Sequence, residues 1–229
     1  GLGDVYKRQF VYQSRLEDNV ATVGAGGAIF TRGETIVQLR KGNVMHSNSA
    51  ATYGGAVFGC GSCSVDTEGT VMTSNVAGVA GGAMYAEVGC IPSWQDQDGL
   101  CERVSGCSRY DCLIADNEAP TGGGLYIGGN LTHNVRIARC TLANNTASAG
   151  SGGGMWIGSG ANISVEDSQI VSNTAAGGNG GGVYLDEGGS LLLAPDPDPP
   201  AHSTLDNSRG QLTQPLLVEA GLAMTLDSS

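Results

Sequence analysis

An all-β solenoid, a parallel β-helix of about six to eight coils with about 28 residues per coil, is the fold this sequence predicts. Three observations predict it. A motif recurs six times at near-constant spacing, the apolar residues between copies fall in short alternating runs, and 38 of the 229 residues are glycine while only 5% are aromatic. A chain so composed must bury small and aliphatic side chains.

The six copies read EDNVATVGAGGAIF, HSNSATYGGAVF, TSNVAGVAGGAMY, ADNEAPTGGGLY, ANNTASAGSGGGMW and VSNTAAGGNGGGVY. Their asparagines, Asn19, Asn48, Asn75, Asn117, Asn145 and Asn173, stand 29, 27, 42, 28 and 28 residues apart. Three positions before each lies Leu16, Met45, Met72, Ile114, Leu142 or Ile170, and an apolar–aromatic pair follows each glycine cluster, from Ile29-Phe30 to Val183-Tyr184. Helical repeats would need longer runs with apolar residues three and four apart, and each glycine would weaken them by about 1 kcal/mol. Runs such as TIVQL (Thr35 to Leu39) and NISVE (Asn162 to Glu166), bounded by Gly, Ser and Asn, read as strands and turns instead. A β-propeller would need blades of about 40 to 45 residues. A repeat of about three strands cannot cover its own inner face, but stacking repeats about 4.8 Å apart joins the inner faces into one core.

Each recurring residue then has to suit its own copies above and below. An asparagine at a turn carries donors and an acceptor, so a column of them bonds from coil to coil and to turn backbone. The aliphatic residue three positions earlier points inward, and the glycines serve the tight corner before the next strand. A phosphate-binding loop is disfavoured, since no helix and no Lys-Ser/Thr pair follows the glycines. Calcium-binding nonapeptide repeats would need an Asp that GGNGGGVYLD lacks.

The first nine residues, GLGDVYKRQ, back-translate to a string that resembles the transposase-end adapter of a sequencing library, so Gly1 to Gln9 are set aside from fold reasoning. The piece is expected to lack native ends. Removing Asp4, Lys7 and Arg8, together +1, takes the formal charge from −11 to −12, a balance that disfavours nucleic acid as a partner. No apolar run approaches the roughly 20 residues of a membrane-spanning helix, so membrane attachment would need an anchor outside this piece. The coils span 10–193, with a Cys-rich insertion at about 90–112. A Pro-rich loop and a further coil, expected to be truncated, occupy 194–229.

Cys63 and Cys90 lie five residues after Phe58 and Tyr85, and Cys112 and Cys140 lie five before Asn117 and Asn145. Both pairs therefore fall at equivalent positions of neighbouring coils, at a spacing a disulfide can bridge. For Cys112 and Cys140 a ladder of buried thiols remains the other reading, because Thr70 and Ser168 hold the same slot elsewhere. Cys101 and Cys107 pin the inserted loop, leaving Cys60 unassigned. A zinc site built on CGSC lacks a second Cys-x-x-Cys and a spaced His pair, and no metal or other cofactor is expected. The loop offers Trp94, Asp96, Asp98 and Tyr110 as a recognition surface. Sequons at Asn130, Asn144 and Asn162 allow glycosylation.

The pattern of an aliphatic residue, two positions, Asn, then Gly-Gly-Ala-apolar resembles the short repeats of chlamydial-type polymorphic outer membrane proteins and related secreted, right-handed, pectate-lyase-like β-helix proteins. GGAIF, GGAVF and GGAMY match best; GGGLY, GGGMW and GGGVY replace Ala by Gly, and Leu, Met or Ile stands where the family usually has Phe. The resemblance covers Leu16 to Tyr184. It implies a right-handed helix and a secreted or cell-surface, non-catalytic, adhesin-like scaffold whose partner is a host or cell-surface protein or a polysaccharide. A carbohydrate-active enzyme is the alternative, since such columns also carry lyases and hydrolases. The best constellation for catalysis is Asp111, Arg139 and Asp167, each six residues before its Asn, which reads equally as an exposed ion-pair ladder.

Overall fold

The computed structural model describes residues 7–87, 89–95, 112–128, 135–166, 168–194, 204–208 and 217–218. Among these the chain is all strand and turn, and its parallel strands stack into a β-solenoid of about six turns. Each full coil contributes one strand to an eight-stranded sheet, two short strands flanking the asparagine to a twelve-stranded sheet, and one to a six-stranded sheet. In the coil of Asn173 a single strand, Gln169–Ala175, runs through the asparagine corner and joins its two rows.

The register follows the sequence repeat. Leu16, Met45, Met72, Ile114, Leu142 and Ile170 are Cα neighbours in one row, and all but the partly buried Leu16 at the column's end are at most 1% exposed. Alternation of inward and outward residues, as in the buried–half-buried–buried pattern of Met84–Ala86, makes each strand one wall of a core filled by Met, Leu, Ile and Val.

The asparagine corner has one geometry throughout. The residue before each Asn, namely Asp18, Ser47, Ser74, Asp116, Asn144 and Ser172, has φ between 54° and 56°. Small polar residues tolerate that left-handed conformation best after glycine. The chain thus turns on one residue and delivers the Asn side chain into the column.

At the next corner Gly81 and its equivalents also have positive φ, and at Gly154 an added Cβ would stand 2.6 Å from the Gly182 carbonyl oxygen and 3.1 Å from Asn173 Cγ. Three coils carry Ala at the Gly154 position, and there the hydrogen bonding differs: the N–H groups of Ala56 and Val57 both donate to Ala83 O, whereas those of Gly154 and Met155 donate to Gly181 O and Gly182 O separately. The Ala-for-Gly alternation in the sequence therefore marks two ways of stacking this corner.

Parallel pairing begins at Lys7, so Lys7, Arg8 and Gln9 extend the first strand against Thr35, Ile36 and Val37. Strand Ile91–Gln95 continues the column in register with Ser64–Glu68, and Cys112 stands in register with Cys140, so the described coil extends to Gln95 and is taken up again at Cys112. Trp94 stands between Thr67 and Ile137 in this strand, which assigns its backbone to the column and not to the inserted loop. The column also goes on beyond Tyr184: Leu205 pairs with Ile170, Asn207 pairs with Asn173 after a register shift, and Leu192 pairs with Leu217.

Candidate functional site

The six asparagines are one continuous structural element. Each Nδ2 from Asn19 to Asn145 donates to Oδ1 of the next asparagine at 2.8–3.0 Å, and the same oxygen accepts the preceding asparagine's backbone N–H at 2.9–3.1 Å. From Asn48 to Asn173 a further Nδ2 proton goes to a strand carbonyl of the previous coil, as from Asn117 to Met72 O at 3.0 Å. Asn48, Asn75, Asn117, Asn145 and Asn173 are at most 1% exposed. A saturated, buried amide has no capacity left for a ligand, so the ladder holds the corner together.

Both pairings inferred for the regular coils form: Cys63–Cys90 with Cα atoms 4.5 Å apart and Cys112–Cys140 at 4.6 Å. The thiol-ladder reading of Cys112 and Cys140 is thereby overturned. Cys63 is also unavailable as a metal-binding thiolate. Cys60 is a free, buried thiol donating to Thr31 O at 3.7 Å; burial, followed by the Glu87 charge, pushes its pKa up and keeps it a thiol. Cys101 and Cys107 lie outside the described residues, as do Asp96, Asp98, Tyr110 and Asn130.

Outward positions of the eight-stranded sheet carry polar rows. Gln38 donates to Asp66 at 3.2 Å, Arg40 pairs with Glu68 at 2.8 Å, and Arg136 grips one oxygen of Glu166 at 2.6 and 2.9 Å while Ser164 donates to the other at 2.6 Å. Burial alone would raise the Glu166 carboxyl, but the Arg136 and Ser164 hydrogen bonds and the charges of Arg136 and Arg139 outweigh it and hold the pKa below the ordinary value. A general acid for glycoside hydrolysis needs the opposite shift. Of the catalytic trio, Asp111 and Asp167 lie outside the described residues; Arg139 occupies a left-handed corner with φ 53°, and its N–H donates to Glu166 O. Asn162 and Asn144 are exposed, and Asn162 Oδ1 accepts the Ser190 hydroxyl.

The six-stranded sheet presents a different outer face. Phe30, Phe58, Tyr85, Tyr126, Trp156 and Tyr184 stack in sequence, with centroids 5.1, 5.5, 4.5, 4.2 and 6.2 Å apart and planes within 20° of parallel. The in-register strand spacing imposes this arrangement, and each pair adds about 0.5–1.5 kcal/mol beyond its area burial. Ring faces cover one another, so the stack turns its rims to solvent. Burial raises the pKa of Tyr85 and Tyr126, and nearby acids act in the same direction, Glu87 on Tyr85 and Asp186 on Tyr126.

Beside the stack lies a groove of about 300 Å³ lined by Tyr53, Val79, Ala80, Tyr85, Thr121, Tyr126 and Trp156. Tyr53, Ala80 and Thr121 are stacked bridge partners. Tyr53 leans on Phe58 and Tyr85 with tilted rings and closes one end, and the smaller Ala80 and Thr121 leave the space beneath it. Only Pro120 and Thr121 separate strand Glu118–Ala119 from Gly122, whereas Ser148 to Ser151 fill the equivalent turn of the next coil. The sequence reading placed the aromatics at strand starts but missed this groove; the aromatic recurrence was the available signal for the stack.

The chain is a parallel β-solenoid clamped by two disulfides between adjacent coils, chemistry compatible with an extracellular location. Comparison with family models, curated proteins and solved structures finds no match for it.

Proposed function

We propose that the chain is part of a non-catalytic, secreted or cell-surface scaffold of the adhesin type, related to the polymorphic outer membrane protein repeats that its motif resembles. The observation that carries this reading is how the polar groups are used. The buried asparagines saturate one another, and Glu68 and Glu166 are held by arginines of the neighbouring coil, Arg40 and Arg136, with Glu166 kept in its ionised form. Such ladders stiffen a column and leave its outer rows to present a surface. The disulfides support an oxidising compartment.

The rival reading, a carbohydrate-active enzyme, draws on the cleft of about 370 Å³ lined by Asn162, Ile163, Ser164, Ser190 and Leu192. Incubating the chain with polyuronates and neutral polysaccharides, and following unsaturated uronate absorbance and reducing ends, separates the two. The scaffold reading expects no turnover above a heat-treated control. Sustained release of either product overturns it.

A further inference from the structure

The groove beside the aromatic stack combines apolar walls with hydroxyl groups. Val79, Ala80 and the rims of Tyr85, Tyr126 and Trp156 supply carbon surface, while Thr121 and the tyrosines supply donors and acceptors. At about 300 Å³ it matches the lower end of small-ligand sites. Its electrostatic surroundings are acidic: the formal charge of the chain is −11, and Glu87 and Asp186 both act on the tyrosines of the wall. A ligand suited to it has an apolar face, a rim of hydroxyls and no negative charge. An uncharged pyranose has that chemistry, and uronates and sulfated sugars are disfavoured by the surrounding acids.

We propose that this groove is a binding subsite for one or two residues of a neutral glycan, with Tyr53 closing one end and Tyr85, Tyr126 and Thr121 addressing the hydroxyls. The proposal rests on the scaffold reading and gives that scaffold a ligand class. The column holds the site rigid, because its wall is built on strands Met84–Ala86, Leu125–Ile127 and Met155–Ile157, whose inward neighbours are fully buried.

Ligand-observed NMR and calorimetry on the full chain, with neutral β-1,4-linked glucose, mannose and xylose oligosaccharides and oligogalacturonate as the anionic control, test it. At least one neutral oligosaccharide should bind saturably at millimolar concentration, and oligogalacturonate should not compete. Thr121→Tyr, which fills the groove as Tyr53 fills the same position two coils away, should weaken binding about tenfold or more with an unchanged circular dichroism spectrum. Val79→Tyr narrows the groove from an exposed position, 41% accessible, and carries the test should Thr121→Tyr fail to fold. No saturable neutral binding, or binding that both variants leave intact, overturns the subsite. If the chain binds no neutral oligosaccharide saturably, or if both variants bind as the parent does, and nothing is cleaved, the groove is wrong and the scaffold reading survives. If the oligosaccharides are cleaved, the scaffold reading itself fails.

Discussion

The strand that precedes each asparagine is bounded by two corners, and they are built on opposite rules. At the asparagine corner every complete coil has the same length, a left-handed residue at the same position and the same inward side chain, Asn. At the other corner the equivalent slot holds Ser14, Asn43, Thr70, Cys112, Cys140 and Ser168 in turn. Asn43 bonds to Ser14 N and two strand carbonyls, Ser168 accepts Cys140 N–H, the two cysteines are joined covalently, and Thr70 Oγ1 is buried without a partner. That corner also takes length changes: one more residue lies between Arg40 and Asn43 than between Glu68 and Thr70, and 16 residues of sequence lie between Gln95 and Cys112 where one lies between Ala138 and Cys140. A ladder needs every rung, so uniformity at one corner frees the other to vary. The Cys112–Cys140 bond fastens the column at the first described residue after that longest interval.

The contrast predicts a graded response to substitution. Asn117→Ala should cost the most, on the order of 4 kcal/mol, because it strands the Asn75 N–H and Nδ2 and Met72 O inside the column. Urea denaturation of parent and variant measures it; a loss below about 1 kcal/mol would place the ladder on a level with an exposed contact. Replacing Cys112 and Cys140 together by Ala should cost about 3 kcal/mol, the closure entropy of a loop whose ends lie 28 residues apart. Reductant should then have a smaller effect on the variant than on the parent in the same titration.

Gly154→Ala should cost about 2 kcal/mol, since the new methyl meets Gly182 O and Asn173 Cγ. Ala83→Gly, in a coil with the other stacking, should cost about 1 kcal/mol through chain entropy alone. Equal effects at the two sites would show that the two corner geometries are not distinct in energy. Thr70→Val should be neutral or stabilising by less than about 1 kcal/mol, because no hydrogen bond is lost. The smallest effect concerns acid. Glu166 has a depressed pKa in the folded state, so its contribution is present above the unfolded value near 4.3 and is lost as pH falls through the folded one. Glu166→Gln should flatten the acid limb of the stability curve slightly, and a steeper limb would reverse the assigned sign.

The parts of this molecule that repeat were readable before any coordinates. A spacing of 28 residues put like on like, and from that followed the inward row of Met72 and Ile114, the asparagine column and the Cys63–Cys90 bridge, while Cys112 and Cys140 were left between a bridge and a ladder of thiols. What escaped was what breaks the repeat. Tyr53 creates a groove only because Ala80 and Thr121 beside it are small, a relation between three unlike residues that no periodicity carries. The backbone pairing of Asn207 with Asn173 was missed because the register slips between Val171 and Asn173 and prolines intervene in the sequence. Trp94 was read as loop because its strand carries a proline, Pro92, and abuts the cysteines.

Side-chain amide exchange tests the central claim most directly. If the asparagines form one saturated ladder, the Nδ2 protons of Asn48, Asn75, Asn117 and Asn145 should exchange as slowly as backbone amides of the buried strands, with those of exposed Asn144 and Asn162 exchanging at solvent rates. Fast exchange at the four interior asparagines, in a protein whose strand amides are protected, would contradict the ladder and the account of the fold built on it.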